Sequence, residues 1–167
     1  MKFRVRSATP ADVPLIHQLI FELADYERSP ESAHADPDLL AEHLFGERRY
    51  IEAMIAELDD GRAAGFAVWF HNYSTWEGRP GLYLEDLFVR PEYRGAGIGK
   101  ALLVRLAEIA IERSCSRMEW AVLNWNEPAL GFYRRLGAQA MDEWLTMRLS
   151  GEPLKALAAG EAAGRPT

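Results

Sequence analysis

The stretch YRGAGIGK, residues 93–100, follows an apolar segment that ends at Val89 and opens a long amphipathic segment that starts near Gly97. The first turn of a helix has unpaired backbone N–H groups, and the helix dipole favours an anion there. Three glycines remove the side chains that would hold a diphosphate away from those donors, while Arg94 and Lys100 add positive charge. The stretch therefore predicts a strand-to-helix turn that binds a diphosphate.

The spacing of these glycines excludes two better-known phosphate loops. No Gly-Lys-Ser/Thr follows at the distance that a Walker loop requires. The Gly-x-Gly-x-x-Gly pattern of a dinucleotide-binding turn is absent, and no acidic ribose ligand follows at the expected distance. A glycine-rich connection without a ligand is the remaining structural alternative.

Periodicity on both sides of the turn predicts a mixed sheet with helices packed on it, a fold of α/β or α+β type. A helix from Thr9 to about Tyr26 and a shorter one from Asp36-Pro37 follow the first strand. The predicted strands span residues 3–7, 50–58, 64–73, 82–89, 118–123 and 140–149. The predicted helices after the glycine turn span residues 97–113 and the segment from Asn126 to Leu136.

Length and composition indicate a single globular domain. The chain has 167 residues, of which 49% are hydrophobic and 26% charged. We expect one domain over residues 1–150, followed by a tail over residues 151–167 that is a frayed helix or disordered.

Charge and composition disfavour several classes of partner. The net charge of −6 argues against nucleic acid and is compatible with a cationic substrate. The sequence shows no signal peptide and no apolar run long enough to span a membrane, so we expect a cytoplasmic protein without a membrane partner. Cys115 is the sole cysteine and the four histidines are scattered, so we expect no disulfide and no metal site.

Two adjacent carboxylates, Glu85 and Asp86, interrupt the apolar strand 82–89. Adjacent residues of a regular strand face opposite ways, so the two should not point into one core. A charge in such a strand costs several kcal/mol unless it is paired or lies in a wet cleft. The pair is therefore either an ordinary set of salt bridges or part of a catalytic cleft.

The turn resembles the coenzyme A pyrophosphate motif of the GCN5-related N-acetyltransferase (GNAT) superfamily. Longer segments are similar to the diamine acetyltransferase family. These segments are LEDLFV (residues 84–89), WNEP (125–128), FYRRLGA (132–138) and LADYE (23–27). The resemblance covers most of residues 3–149 and implies acetyl transfer from acetyl-coenzyme A to a primary amine of a small molecule, such as thialysine or a di- or polyamine.

The resemblance also implies roles for individual residues. The residue matching Glu85 is taken as the general base, acting through water, and the tyrosine matching Tyr133 as the general acid that protonates the departing thiolate. The alternative for Tyr133 is a core tyrosine, and for Asn126 a helix cap alone. The implied acetyl-coenzyme A contacts are Leu87, Val89, Arg94, Gly95, Ala96, Gly97, Ile98, Gly99, Lys100, Asn126 and Arg134.

The polar stretch 71–76 and the segment from Asp25 to Glu27 are expected to form the amine pocket. Tyr26 and Trp76 offer ring faces to a cation, and Glu27 and Asp86 supply negative charge. Tyr26 could instead belong to the core, and Trp76 could be a surface anchor. The segment YSTW, residues 73–76, resembles the thialysine branch because the polyamine-specific members have an acidic residue and a proline at its two central positions.

Two other functions stay open at this stage. One is a protein or peptide N-acetyltransferase, which an aromatic and acidic pocket opposes. The other is a non-catalytic sensor of acyl-coenzyme A, which the presence of both Glu85 and Tyr133 opposes. Family members are usually homodimers, so we expect a homodimer.

Overall fold

A five-stranded mixed sheet forms the centre of the computed structural model, which describes residues 1–160. The strands lie in the order β1-β2-β3-β4-β5; β1 to β4 pair antiparallel, and β5 pairs parallel to β4. The strands are β1 Phe3–Ser7, β2 Glu52–Leu58, β3 Ala63–Ser74, β4 Arg79–Val89 and β5 Met118–Trp120. This arrangement confirms the predicted α/β fold with a mixed sheet.

Helices connect these strands at the predicted places. They are α1 Val13–Tyr26, α2 Pro37–Phe45, α3 Ile98–Glu112, α4 Glu127–Arg135 and α5 Gly151–Ala158, with single 3-10 turns at Pro10–Asp12, Pro30–Ser32 and Pro91–Tyr93. Asp36 caps α2, because its side chain accepts from the backbone N–H groups of Asp38 and Leu39. No helix among residues 1–160 has the length and apolar character that crossing a membrane requires.

Both faces of the sheet are covered. Apolar side chains of α1 and α2, such as Ile16 and Leu19, pack with Phe66, Val68 and Phe88 in one buried cluster. The alternate strand residues on the other face are also buried, and α3 contacts β1 to β4. Burial on both faces explains why residues 53–56 of β2 and 63–70 of β3 are continuously apolar.

A β-bulge interrupts β4 where the two carboxylates lie. Val68 pairs with Asp86 and Trp69 pairs with Leu84, so Glu85 is an extra residue without a partner on β3. The pairing of β4 with β5 covers only Leu82 to Leu84 on β4. The two strands therefore separate at the bulge.

By its contacts the chain divides into two compact units, Met1–Ala121 and the segment from Val122 onward. In the second unit, Asn126 caps α4 by accepting from the Ala129 N–H at 3.3 Å. The predicted strand over 140–149 is wrong, because no described strand pairs with this segment, and Leu145 and Met147 are 86% and 88% exposed. The predicted tail is helical over Gly151–Ala158, and residues 161–167 lie outside the described residues.

Phe66 tests the packing of α1 on the sheet. Its side chain is fully buried in the cluster with α1 and α2, so Phe66→Ala should lower the free energy of unfolding by about 3–5 kcal/mol through lost burial and a cavity. The matched control Phe21→Ala removes a ring that is 37% exposed and should cost about 1 kcal/mol or less. Denaturant unfolding followed by circular dichroism measures both, and equal losses would contradict this assignment of the core.

Candidate active site

The bulge in β4 changes which side chains share a face of the sheet. Tyr83 pairs with Phe70 and Asp86 pairs with Val68, so Tyr83 and Asp86 lie on one face although three positions separate them. Glu85 lies between them at the bulge, and its charge raises the pKa of both neighbours. As expected, the two carboxylates do not both point into one core, because Glu85 is exposed and Asp86 is half-buried. The bulge itself was not predicted from the sequence.

Three carboxylates from two elements influence one another here. Burial raises the pKa of Asp86 to about 7, and the charges of Glu85 and Glu27 add to this effect. Burial also raises the pKa of Glu27, which follows the end of α1. The arrangement brings together the predicted residues Glu27, Glu85 and Asp86. It would attract a cation, since like charges near a half-buried carboxyl disfavour its ionised form.

Within residues 1–160, no three His, Cys, Asp or Glu side chains are placed to hold a metal ion. An organic ammonium group demands less of its surroundings, because it needs acceptors and negative charge but no fixed coordination geometry. The three carboxylates provide both.

Arg94 connects the glycine turn with the end of α1. Its guanidinium carbon lies 4.2 Å from the centroid of the Tyr26 ring, and its Nε donates to the Val89 carbonyl at 2.9 Å. Tyr26 in turn lies beside Phe88, with 6.3 Å between ring centroids. Tyr26 therefore contacts Arg94 of the predicted cofactor turn and directly precedes Glu27 in the chain.

One edge of β4 is open beyond the bulge. The Arg90 N–H donates to the Ala64 carbonyl at 2.9 Å, so by alternation the backbone groups of Phe88 also face β3. The backbone groups of Leu87 and Val89 face the opposite way, toward the side on which β5 has already separated. This edge can accept an extended chain as an added strand.

The turn before α3 has the backbone that the sequence predicts. Gly95 and Gly97 have φ angles of 79° and 84°, which side chains rarely adopt, and the space beside each is open. The first intrahelical bond runs from the Ala101 N–H to the Gly97 carbonyl at 3.0 Å, so the N–H groups of residues 98–100 precede it. Ile98 is buried and anchors the turn, while Ala96 and Lys100 are exposed. These donors fit a diphosphate.

Three predicted residues lie in the second unit, on or beside α4. Asn126 is buried at the start of the helix, and Tyr133 is half-buried with its ring 5.4 Å from that of Phe132. Arg134 is exposed in the last turn. Their helix and cap are as predicted, and their roles stay predictions.

The polar stretch 71–76 continues the strand predicted over 64–73 and ends in a turn. Residues 71–74 belong to β3, and Ser74 is buried with its Oγ accepting from the Glu77 N–H at 3.3 Å. Trp76 lies in the tight turn at the end of the β3–β4 hairpin and is 91% exposed. Glu85 lies six positions after Arg79 on β4, about 20 Å at the usual strand rise, so Trp76 lies away from the three carboxylates.

An aromatic pair near the bulge had not been predicted from the sequence. The rings of Phe70 and Tyr83 lie 5.0 Å apart and are half-buried on the face that carries Asp86. Burial raises the pKa of Tyr83, and the charges of Glu85 and Glu119 contribute. The aromatic residues were visible in the sequence, but the bulge that aligns them with Asp86 was not.

Comparison with known families and relatives agrees with this geometry. The family model of the acetyltransferase (GNAT) family matches residues 16–138. The chain is 37% identical over 164 residues to a thialysine N-epsilon-acetyltransferase of Bos taurus, covering 92% of this chain and 96% of the relative. It is 32% identical to an L-ornithine N5-acetyltransferase of Arabidopsis thaliana, covering 92% of this chain and 87% of the relative.

Solved structures share the fold. An integron cassette protein from the mobile metagenome of V. cholerae aligns with a TM-score of 0.79 and 29% identity, covering 95% of this chain and 98% of that one. An acetyltransferase of Trypanosoma brucei aligns with a TM-score of 0.70 and 28% identity, covering 89% and 99%. The chain therefore belongs to the acetyltransferase (GNAT) family, within the group of thialysine and diamine acetyltransferases, and is an N-acetyltransferase.

Proposed function

We propose that this enzyme transfers the acetyl group of acetyl-coenzyme A to a primary amine of a small molecule, a lysine-like amino acid such as thialysine or a di- or polyamine. The observation that carries the proposal is the group of three carboxylates, Glu27, Glu85 and Asp86, beside the open edge of β4. Relatives that are similar over most of their length, a thialysine and an ornithine acetyltransferase, support this substrate class.

The three carboxylates would bind the substrate as its ammonium ion. The pKa of Asp86 is raised by burial and by two like charges, a pattern that a bound cation would relieve. Because a free alkylamine is protonated at pH 7, removing its proton costs about 4 kcal/mol before it can attack a carbonyl. A base beside the bound ammonium is therefore required.

Glu85 is proposed as that base. It is exposed at the bulge, where water can reach it, and it lies on the strand whose open edge would hold the acetyl donor. An exposed carboxylate can accept the proton directly or through one water molecule. Asp86, which is more buried, is proposed to bind the ammonium group.

The residues that face the open edge fit acetyl-coenzyme A, which supplies the acetyl group as a thioester when bound. The backbone groups of Leu87 and Val89 would pair with the pantetheine arm, and Asn126 is proposed to contact it as well. The N–H groups at the start of α3 would hold the diphosphate together with Arg94 and Lys100. Arg134 is proposed from the family resemblance as a further contact of acetyl-coenzyme A.

Tyr133 is proposed as the general acid. A phenol O–H group can donate a proton to a departing thiolate. A homodimer, a cytoplasmic location and the absence of nucleic-acid, membrane and metal partners remain predictions from the sequence.

Thiol release from acetyl-coenzyme A against spermidine, putrescine, thialysine, lysine and a basic peptide tests the proposal. We expect turnover of at least one free amine, and Tyr133→Phe should lower kcat roughly 10²-fold because the thiolate then leaves unprotonated. Tyr50→Phe, which removes an exposed hydroxyl, is the matched control and should retain full activity. Turnover of the peptide alone would instead favour a peptide N-acetyltransferase, and thiol release from none of the amines would contradict the proposal.

Replacing Glu85 tests its role as the base independently of the binding of the acetyl donor. Glu85→Gln should lower kcat about 10²-fold while leaving the affinity for coenzyme A unchanged, because the side chain faces away from the backbone edge. Glu112→Gln, which removes an exposed carboxylate that pairs with Arg105 on α3, should have no effect on either quantity. Unchanged activity in Glu85→Gln would show that another group is the base.

The pH dependence of kcat/KM reports on Asp86. Its pKa of about 7 means that the carboxyl is neutral below that pH, so its attraction for the substrate ammonium is lost there. We therefore expect kcat/KM to fall as the pH decreases through about 7. This decrease should be absent from the pH profile of Asp86→Asn. Initial rates at low substrate concentration on both sides of pH 7 measure kcat/KM. The same decrease in the variant would show that a group other than Asp86 causes it.

A further inference from the structure

Two half-buried aromatic rings, those of Phe70 and Tyr83, lie between the carboxylates and β5, and we call this surface the aromatic floor. Phe66 and Val68 are buried beneath α1 and α2, but Phe70, the next residue on that face of β3, is only half-buried. Its ring lies against that of Tyr83, with an angle of 33° between the ring planes. The two rings provide an apolar surface on which a short aliphatic chain can lie.

Glu119 lies at the far end of this floor. It is the register partner of Tyr83 on β5, and its charge reaches the Tyr83 phenol together with that of Glu85. Strands in a sheet lie about 4.8 Å apart and rise about 3.3 Å per residue, so the backbones of Glu85 and Glu119 are about 8 Å apart. An extended chain of four methylene-sized groups spans a distance of this size.

The side chain of Glu119 is held through one oxygen. Arg117 Nε and Asn72 Nδ2 both donate to Oε2, each at 3.0 Å. Among residues 1–160, Oε1 accepts no hydrogen bond, and no acceptor bonds the two Nη nitrogens of Arg117. A carboxylate oxygen and a guanidinium edge are thus available side by side.

Asn72 is fixed in this arrangement by close packing. A Cβ on Gly81 would lie 2.2 Å from Asn72 Oδ1, so only glycine allows the amide to lie where it does. The same Oδ1 is buried and has no hydrogen-bond partner among the described residues. A buried acceptor without a partner is rare in native proteins.

We propose that Glu119 and Arg117 bind the amino-acid head group of the substrate and thereby select an α,ω-diamino acid. Glu119 Oε1 accepts from the α-ammonium, and the Arg117 Nη nitrogens donate to the α-carboxylate. The aliphatic chain lies on Phe70 and Tyr83 and delivers the ω-amine to Glu85 and Asp86. This inference rests on the proposed function and narrows its substrate class, since a plain diamine offers no carboxylate to the Arg117 Nη nitrogens.

Three amines of matched length distinguish the proposed contact of Glu119 from that of Arg117. Thialysine has both head-group charges, cadaverine has the second ammonium but no carboxylate, and pentylamine has neither. Glu119→Gln should lower kcat/KM about tenfold or more for thialysine and for cadaverine, and leave pentylamine unchanged. Arg117→Gln should lower kcat/KM for thialysine alone by a similar factor.

Two further variants control for indirect effects. Glu119→Asp retains the charge and should lose less activity toward thialysine than Glu119→Gln. Glu112→Gln, a carboxylate in the exposed ion pair with Arg105, should leave the selectivity unchanged. Equal effects of Glu119→Gln on all three amines, or no effect on any, would overturn the inference while turnover by the wild-type enzyme still supports the proposed function.

If the wild-type enzyme acetylates none of these amines, the proposed function fails, and calorimetric titration with thialysine in the presence of coenzyme A decides the inference. Binding to the wild-type protein that weakens about tenfold in Glu119→Gln supports the head-group site. Equal affinity of the two proteins, or no binding to the wild-type protein, overturns it.

Discussion

The separation of β4 from β5 at a one-residue bulge is the constraint on which the first unit's proposed site depends. Glu85 has no partner on β3, and the pairing with β5 ends at Leu84. Backbone groups that would otherwise complete the sheet are thereby exposed along one edge, beside two carboxylates. In a regular strand, the backbone groups would pair with the neighbouring strands and successive side chains would alternate between the two faces. Neither an open edge of β4 nor an acidic pocket beside it would form.

Much of the fold could be predicted from the sequence, because its signals are local. The alternation in Phe3–Ser7, the cap at Asp36 and the glycines before α3 each act within a few residues. The segment 140–149 has the same alternation and is not a strand, because a strand also requires a partner, and local periodicity contains no information on pairing. The strand β5 is shorter than the predicted strand 118–123 for the same reason, because residues 121–123 pair with no described strand.

The site was predicted in part. The donors at the start of α3 follow from glycine spacing, and Glu85 and Asp86 stand out as charges in an apolar strand. The geometry that combines them could not be predicted, since a bulge has no clear sequence signature in β4. For the same reason the alignment of Phe70 and Tyr83 with Asp86 was missed. Trp76, which was expected in the amine pocket, lies at the tip of the β3–β4 hairpin instead.

The strand β4 presents two different chemical surfaces, and this has an evolutionary consequence. Its open edge consists of main-chain groups, which substitutions do not alter, whereas its face consists of side chains such as Tyr83 and Asp86. If the acetyl donor binds at this edge as proposed, a lineage can change Tyr83, or its neighbour Glu119 on β5, and acquire a new amine substrate while donor binding is retained. One scaffold could in this way diversify toward many amines by a few replacements on a single face.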